Sequence, residues 1–255
     1  MNHSWRILIS AGAFIFSLST SLLAADGPAT QPATAPATQA SGIKIVLVGD
    51  STVNDEGGWG IEFKRDLKPG IACVNWAKNG RSSKSFINEK WWDKALAEKP
   101  NYVLIQFGHN DQPGKGPNRE TDPETTYRAN LIRYVDEARA AGAKPVLVTS
   151  MVRRVFQADK QHLRADLEPY VAAMKKVADE KKVPLVDLHA RSHELIEKLG
   201  AGGVAEAKME AEAKPPATHD GTHLNEHGGE MIAPLIAGEL RKVAPELAAH
   251  LAPAK

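Results

Sequence analysis

The chain has 255 residues, 42% of them hydrophobic, with 32 Lys+Arg against 31 Asp+Glu. That balance, without a basic stripe or an acidic tail, excludes a nucleic-acid-binding protein, and the apolar share is enough for a real core. The one cysteine, Cys73, excludes an intrachain disulfide framework and reads as a small core residue.

Arg6 precedes a largely apolar run from Ile7 to Leu23, followed by Ala24-Ala25-Asp26. This predicts a secretory signal peptide over residues 1–25 and export to a periplasm or the extracellular space. Membrane contact is expected only if that segment stays uncleaved, and no cysteine lies near the cleavage site to carry a lipid. Residues 26–41 repeat Pro-Ala-Thr and hold too little apolar surface to offset their ordering entropy. They are expected to form a linker, with the folded domain over residues 42–255.

From Ile43 onward, short β-branched runs alternate with longer stretches of helical spacing. Strands are expected at 43–48, 71–76, 102–107, 145–149 and 184–188. Helices are expected at 127–141, with Leu131, Ile132, Val135 and Ala138 on one face and a stop at Gly142, then at 167–183, 190–199 and 225–243. Such alternation predicts a single α/β domain of three layers around a five-stranded parallel sheet. Residues 200–218 fit neither period and read as a long loop.

Four polar segments fall at places where ligands of such sheets bind. Gly49-Asp50-Ser51-Thr52 ends the first strand, in a turn expected to open a helix. Free backbone N–H groups there would face a developing oxyanion, and Ser51 would be the nucleophile once a base takes its proton. The alternative is that Asp50 or Ser51 only caps a helix. Asp220 and His223, three apart in a turn, can reach each other, so that the carboxylate orients the imidazole base. Taken alone, such a pair also occurs in ordinary surface turns. Gly80, in Asn79-Gly80-Arg81-Ser82, and Asn110, in Gly108-His109-Asn110-Asp111, supply a backbone and an amide donor suited to an oxyanion hole, or else are plain turn residues. His219 and His223, with His109 and Asp111, offer a metal alternative. Pro215, Pro216 and Gly221 oppose the helix that a His-x-x-x-His zinc motif needs, so no metal is expected. Trp59, Trp91 and Trp92 either stack on sugar rings or pack in the core and rim.

Together these segments resemble the four blocks of the SGNH (GDSL-type) hydrolases. Ser51, Gly80, Asn110 and His223 stand at the four name-giving positions, and the likeness spans residues 43–243. Within that family the chain is similar to the rhamnogalacturonan acetylesterases. The likeness is carried by Thr52 after the serine, by Gly58-Trp59-Gly60, by Asn79 to Phe86, and by Pro184 to His189 with Thr222 to Asn225.

The resemblance implies a flavodoxin-like fold and two-step acyl transfer without a cofactor. Ser51, Asp220 and His223 would be catalytic, with Ser51, Gly80 and Asn110 as the oxyanion hole. The implied substrate is an acetylated polysaccharide or oligosaccharide, such as pectin rhamnogalacturonan. A GDSL-type lipase or thioesterase is the alternative, and an inactive carbohydrate-binding module is a third. An α/β-hydrolase would need Gly-x-Ser-x-Gly, which does not surround Ser51. The Lys/Glu/Ala-rich content of residues 200–218 departs from the family pattern.

Overall fold

Ile45, Val46, Leu47 and Val48 are fully buried in the first strand, and a strand apolar on both faces belongs inside a covered parallel sheet. The computed structural model describes residues 42–209 and 220–253. Within them β1 (Lys44–Gly49), β2 (Ala72–Asn75), β3 (Tyr102–Gln106), β4 (Lys144–Val148) and β5 (Leu185–Val186) form one sheet in the order β2-β1-β3-β4-β5. Every pair is parallel. This is the flavodoxin-like order, and its switch point lies between β1 and β3.

Strand periodicity sends alternate residues to two cores. Ile45, Leu47, Leu104 and Val146 pack on one face, while Val46, Val48, Val103, Ile105 and Leu147 pack on the other. The helices are α1 (Gly60–Arg65), α2 (Ser83–Asn88), α3 (Trp91–Ala97), α4 (Arg128–Ala140), α5 (Glu168–Lys181), α6 (Leu188–Glu206), α7 (Glu226–Val243) and α8 (Pro245–Ala248). Residues of α1, α6, α7 and α8 build the first core, and those of α2 to α5 the second. The Asn225 side chain caps α7 by accepting from the Gly228 N–H at 2.9 Å, which fixes where the preceding turn ends.

Two expectations are corrected. No helix opens at Ser51: residues 51–59 are turns, and α1 begins only at Gly60. Residues 200–206 are not loop. Gly200 breaks the helix at φ 67°, ψ 175°, and a further helical stretch runs to Glu206. The expected signal peptide, the linker and residues 210–219, which include His219, Pro215 and Pro216, lie outside the described residues. Among the described residues no helix is long and apolar enough to cross a membrane. Cys73 lies on β2 against the core, where burial pushes its thiol up to about 12.

Candidate active site

β1 and β3 are in register, with Gly49 beside Gln106. Ser51 and Gly108 therefore leave the sheet side by side, each two residues beyond that pair. Asp50 shapes the first turn. Its Oδ1 accepts from the Thr52 N–H at 2.8 Å and the Thr52 hydroxyl at 2.7 Å. The Gln106 amide donates to Thr52 Oγ1 at 2.7 Å, and Trp59 Nε1 donates to Gln106 Oε1 at 3.0 Å. This chain from Trp59 to Asp50 is buried throughout, so each polar group in it needs its partner.

After the turn the chain folds back, and the Trp59 N–H donates to the Thr52 carbonyl at 3.1 Å. A Cβ on Gly58 would lie 2.3 Å from the Thr52 carbonyl carbon, so only glycine fits there. The same loop holds the opposite side of the site, because the Leu224 N–H donates to the Gly57 carbonyl at 2.8 Å.

Across from Ser51 stands the turn from Asp220 to His223. Asp220 Oδ1 accepts the N–H groups of Thr222 and His223 at 3.0 and 3.1 Å. Asp220 Oδ2 lies 2.6 Å from His223 Nδ1, and His223 Nε2 lies 2.7 Å from Ser51 Oγ. Burial acts to raise the Asp220 carboxyl, but the His223 ring and the two backbone N–H groups outweigh it and hold it below the ordinary range. Both nitrogens of His223 are thereby engaged, by Asp220 and by Ser51. Among the described residues no group of three or more His, Cys, Asp or Glu converges on a common point.

The second and third segments meet each other through Asp111 and Asn110. Gly80 adopts φ 73°, a conformation that suits glycine, and the next residues start α2 with Ser82 as its cap. Asp111 ties the two segments together. Its carboxylate accepts from the Ser83 N–H at 3.1 Å, the Ser83 hydroxyl at 2.5 Å and the Thr121 hydroxyl at 3.0 Å. Burial outweighs these donors and raises Asp111 to about 7. Asn110 Nδ2 donates to the Arg81 carbonyl at 3.3 Å, which leaves its second hydrogen for another acceptor. Among the described residues the backbone N–H groups of Ser51 and Gly80 find no acceptor.

The structure brings Ser51, Asp220 and His223 into one hydrogen-bonded series and joins Asn110 to the segment of Gly80 through the Arg81 carbonyl. It also adds residues that the sequence reading missed. Gln106 is one. Arg153 and Arg154, in the segment after β4, are two more. Arg153 donates to Thr222 Oγ1 and Gln112 Oε1, both at 2.8 Å. Arg154, almost fully buried, donates to the His223 carbonyl at 2.7 Å, and its N–H to the Gly221 carbonyl, also at 2.7 Å. These groups hold the turn that carries His223. His109 is also buried, with Nδ1 3.8 Å from Asp50 Oδ2 and neither ring nitrogen hydrogen-bonded. Burial raises Asp50 and lowers His109 well below its usual value, so each resists charge there.

The tryptophans pack rather than offer open faces. Trp59 and Trp92 are fully buried, and the Trp91 ring is flanked by Lys78 and Lys94 ammoniums at 4.7 and 4.1 Å.

A nucleophilic hydroxyl, its base, an orienting carboxylate and convergent N–H donors define the apparatus of a serine hydrolase. The chain belongs to the GDSL-like lipase/acylhydrolase family, whose model matches residues 42–231, and it is a serine ester hydrolase. It is 37% identical over 227 residues to the rhamnogalacturonan acetylesterase RhgT of Bacillus subtilis, an alignment covering 82% of this chain and 94% of that one. Two solved structures share the fold. The Bacillus subtilis protein YXIM superposes with a TM-score of 0.66 at 23% identity over 79% of this chain, which spans 57% of that protein's length. Axe2, an acetyl-xylooligosaccharide esterase from Geobacillus stearothermophilus, superposes with a TM-score of 0.59 at 23% identity, covering 80% of this chain and 95% of Axe2.

Proposed function

We propose that the chain is an exported carbohydrate acetylesterase, which removes acetyl groups from rhamnogalacturonan or a similar plant-type polysaccharide. The observation that carries this reading is the continuous relay from Asp220 through His223 to Ser51, at 2.6 and 2.7 Å. His223 takes the hydroxyl proton as Ser51 Oγ bonds to the ester carbonyl carbon. Asp220 fixes the tautomer and stabilises the imidazolium. The N–H groups of Ser51 and Gly80 and the Asn110 amide hold the oxyanion. The carbon–oxygen bond to the sugar then breaks, and the sugar oxygen leaves with the proton from His223. A water molecule, deprotonated by His223, attacks the acetyl-serine, acetate departs, and Ser51 regains its proton. None of these steps calls on a metal or organic cofactor.

Three features support the substrate class. RhgT carries that activity in its name. The residues after Ser51 are polar, and a cavity of about 220 Å³ is lined by Asn54, Asp55 and Glu56 of that loop with Asn75, Lys78 and Asn79. Such walls suit sugar hydroxyls better than a long acyl chain. Export is supported by the apolar run from Ile7 to Leu23 and the Ala24-Ala25 that follows.

The test is acetate release from acetylated rhamnogalacturonan, together with rates on matched p-nitrophenyl acetate and octanoate below their critical micelle concentrations. Each methylene buried in an apolar groove contributes about 0.8 kcal/mol, so a lipase would favour octanoate strongly. Here acetate is expected to lead by at least about tenfold in kcat/KM. A clear octanoate preference would move the chain to the lipase reading.

A further inference from the structure

Just beyond Asn110, residues 113–120 form a Gly- and Pro-rich loop that returns to the site. The Thr121 N–H donates to the Asp111 carbonyl at 2.9 Å. Arg119 Nε donates to the Lys115 carbonyl at 2.7 Å, and its Nη1 reaches the Gly80 carbonyl at 3.4 Å. Lys84 Nζ donates to the Pro117 carbonyl at 2.6 Å. The loop therefore lies against the oxyanion side of the site.

Its charges are unbalanced. Lys115 is half-buried, and among the described residues its ammonium has neither a hydrogen bond nor an ion pair. Arg119 is also half-buried and meets carbonyl oxygens but no carboxylate. The nearby carboxylates of Asp166 and Asp50 attract Lys115 only from beyond ion-pair distance. Asp166 pairs with Arg153 at 3.2 Å, and Glu120 accepts from the Gly116 N–H at 2.6 Å. Most other cations without a carboxylate partner, such as Lys99, Lys160 and Lys198, are exposed to water. Lys115 is instead held below its ordinary pKa by burial and by the guanidiniums of Arg153 and Arg119. Crowded, partly dehydrated positive charge is unfavourable until an anion arrives.

We propose that Lys115 and Arg119 form a carboxylate-binding subsite beside Gly80, which takes the carboxyl group of a uronic-acid residue in the acetylated chain. This deepens the acetylesterase reading and rests on it. The subsite makes the enzyme selective for acidic over neutral polysaccharides. Arg119 sits between the two functions, since its guanidinium touches both the Lys115 carbonyl and the carbonyl of Gly80.

The experiment compares kcat/KM for acetate release from acetylated oligogalacturonate and from acetylated xylo-oligosaccharide, in the wild type, Lys115→Gln and Lys115→Arg. The acidic-to-neutral ratio is expected to fall about tenfold in Lys115→Gln, mainly through KM, and to be largely restored in Lys115→Arg. Raising salt from about 50 to about 500 mM should slow the wild type on the acidic substrate alone. An unchanged ratio in Lys115→Gln, or an equal loss on both substrates, would overturn the subsite. Calorimetry of unacetylated trigalacturonate on the Ser51→Ala protein separates this proposal from the esterase reading. Weakened binding on adding Lys115→Gln supports the subsite even if no acetate is released, and absence of binding overturns it. Failure of the wild type to release acetate from any ester, p-nitrophenyl acetate included, would sink the esterase reading instead.

Discussion

The two sides of the site are held by different means. Ser51 and Asn110 grow out of adjacent strands, and the carboxylates beneath them, Asp50 and Asp111, are fully buried and fixed by side-chain donors. His223 stands on no strand. Its turn hangs between residues outside the described structure and the start of α7, held by backbone bonds to Gly57 and by Arg153 and Arg154. His223 and Asp220 remain partly exposed, at 37% and 24% of their side-chain surface. The contrast separates a rigid half, where polar groups are structural, from a supported half, where they are free to exchange protons. Substitutions of the buried carboxylates Asp50 and Asp111 should cost mainly stability, and those of the groups placed to exchange protons, Ser51 included, rate alone.

The largest effect is expected for Ser51→Ala, with kcat down by about 10⁴-fold or more and the melting temperature nearly unchanged. Retention of more than about a hundredth of wild-type kcat would remove Ser51 as nucleophile. Asp220→Asn comes next. It keeps the turn's shape but disturbs the tautomer of His223, and about a 10⁴-fold loss in kcat is expected. A large drop in melting temperature there would erase the contrast between the two halves.

Asn110→Ala should lower kcat about 10²- to 10³-fold with a smaller change in KM. An unchanged kcat would take Asn110 out of the oxyanion hole.

The smallest effect on rate, and the clearest on stability, belongs to Asp111→Asn. An amide would set its Nδ2 against the Ser83 N–H, where Asp111 Oδ2 now accepts at 3.1 Å, so a melting-temperature loss of several degrees is expected at pH 5. The sign with pH follows from the raised pKa. Asp111 stabilises the fold most below the ordinary carboxylate range, and this contribution is lost as pH rises towards about 7. The asparagine does not titrate, so the gap between variant and wild type should narrow between pH 5 and pH 8. A gap that stays constant would mean that Asp111 is ionised throughout.

The rigid half was also the legible half. β1 and β3 announce themselves as apolar runs ending in Gly-Asp-Ser and Gly-His-Asn-Asp, and chemistry at strand ends follows from the architecture alone. The Asp220–His223 pair was readable from its spacing and the amphipathic helix behind it. Its supports were not. Arg153 and Arg154 follow a strand without any periodic signature, and their partners lie about 70 positions away in sequence. Gln106 did leave a signal, as the one polar residue in Tyr-Val-Leu-Ile-Gln-Phe, because a buried amide must have a partner. The expected helix at Ser51 failed because Asp50 closes a turn on Thr52, and Gly58 lets the chain double back instead of coiling. Helices as short as α1 and α2, six residues each, hold under two turns and cannot display a period.

The pairing of Gly49 with Gln106 also bears on how this scaffold can change. Neighbouring strands sit about 4.8 Å apart whatever the loops do. Ser51 and Asn110, the proposed nucleophile and oxyanion donor, are therefore spaced by the sheet itself, as by a ruler. The segment from Pro113 to Glu120 can lengthen, shorten or change charge without altering that spacing. New substrates are thus open to such an enzyme through its rims, at little risk to its chemistry.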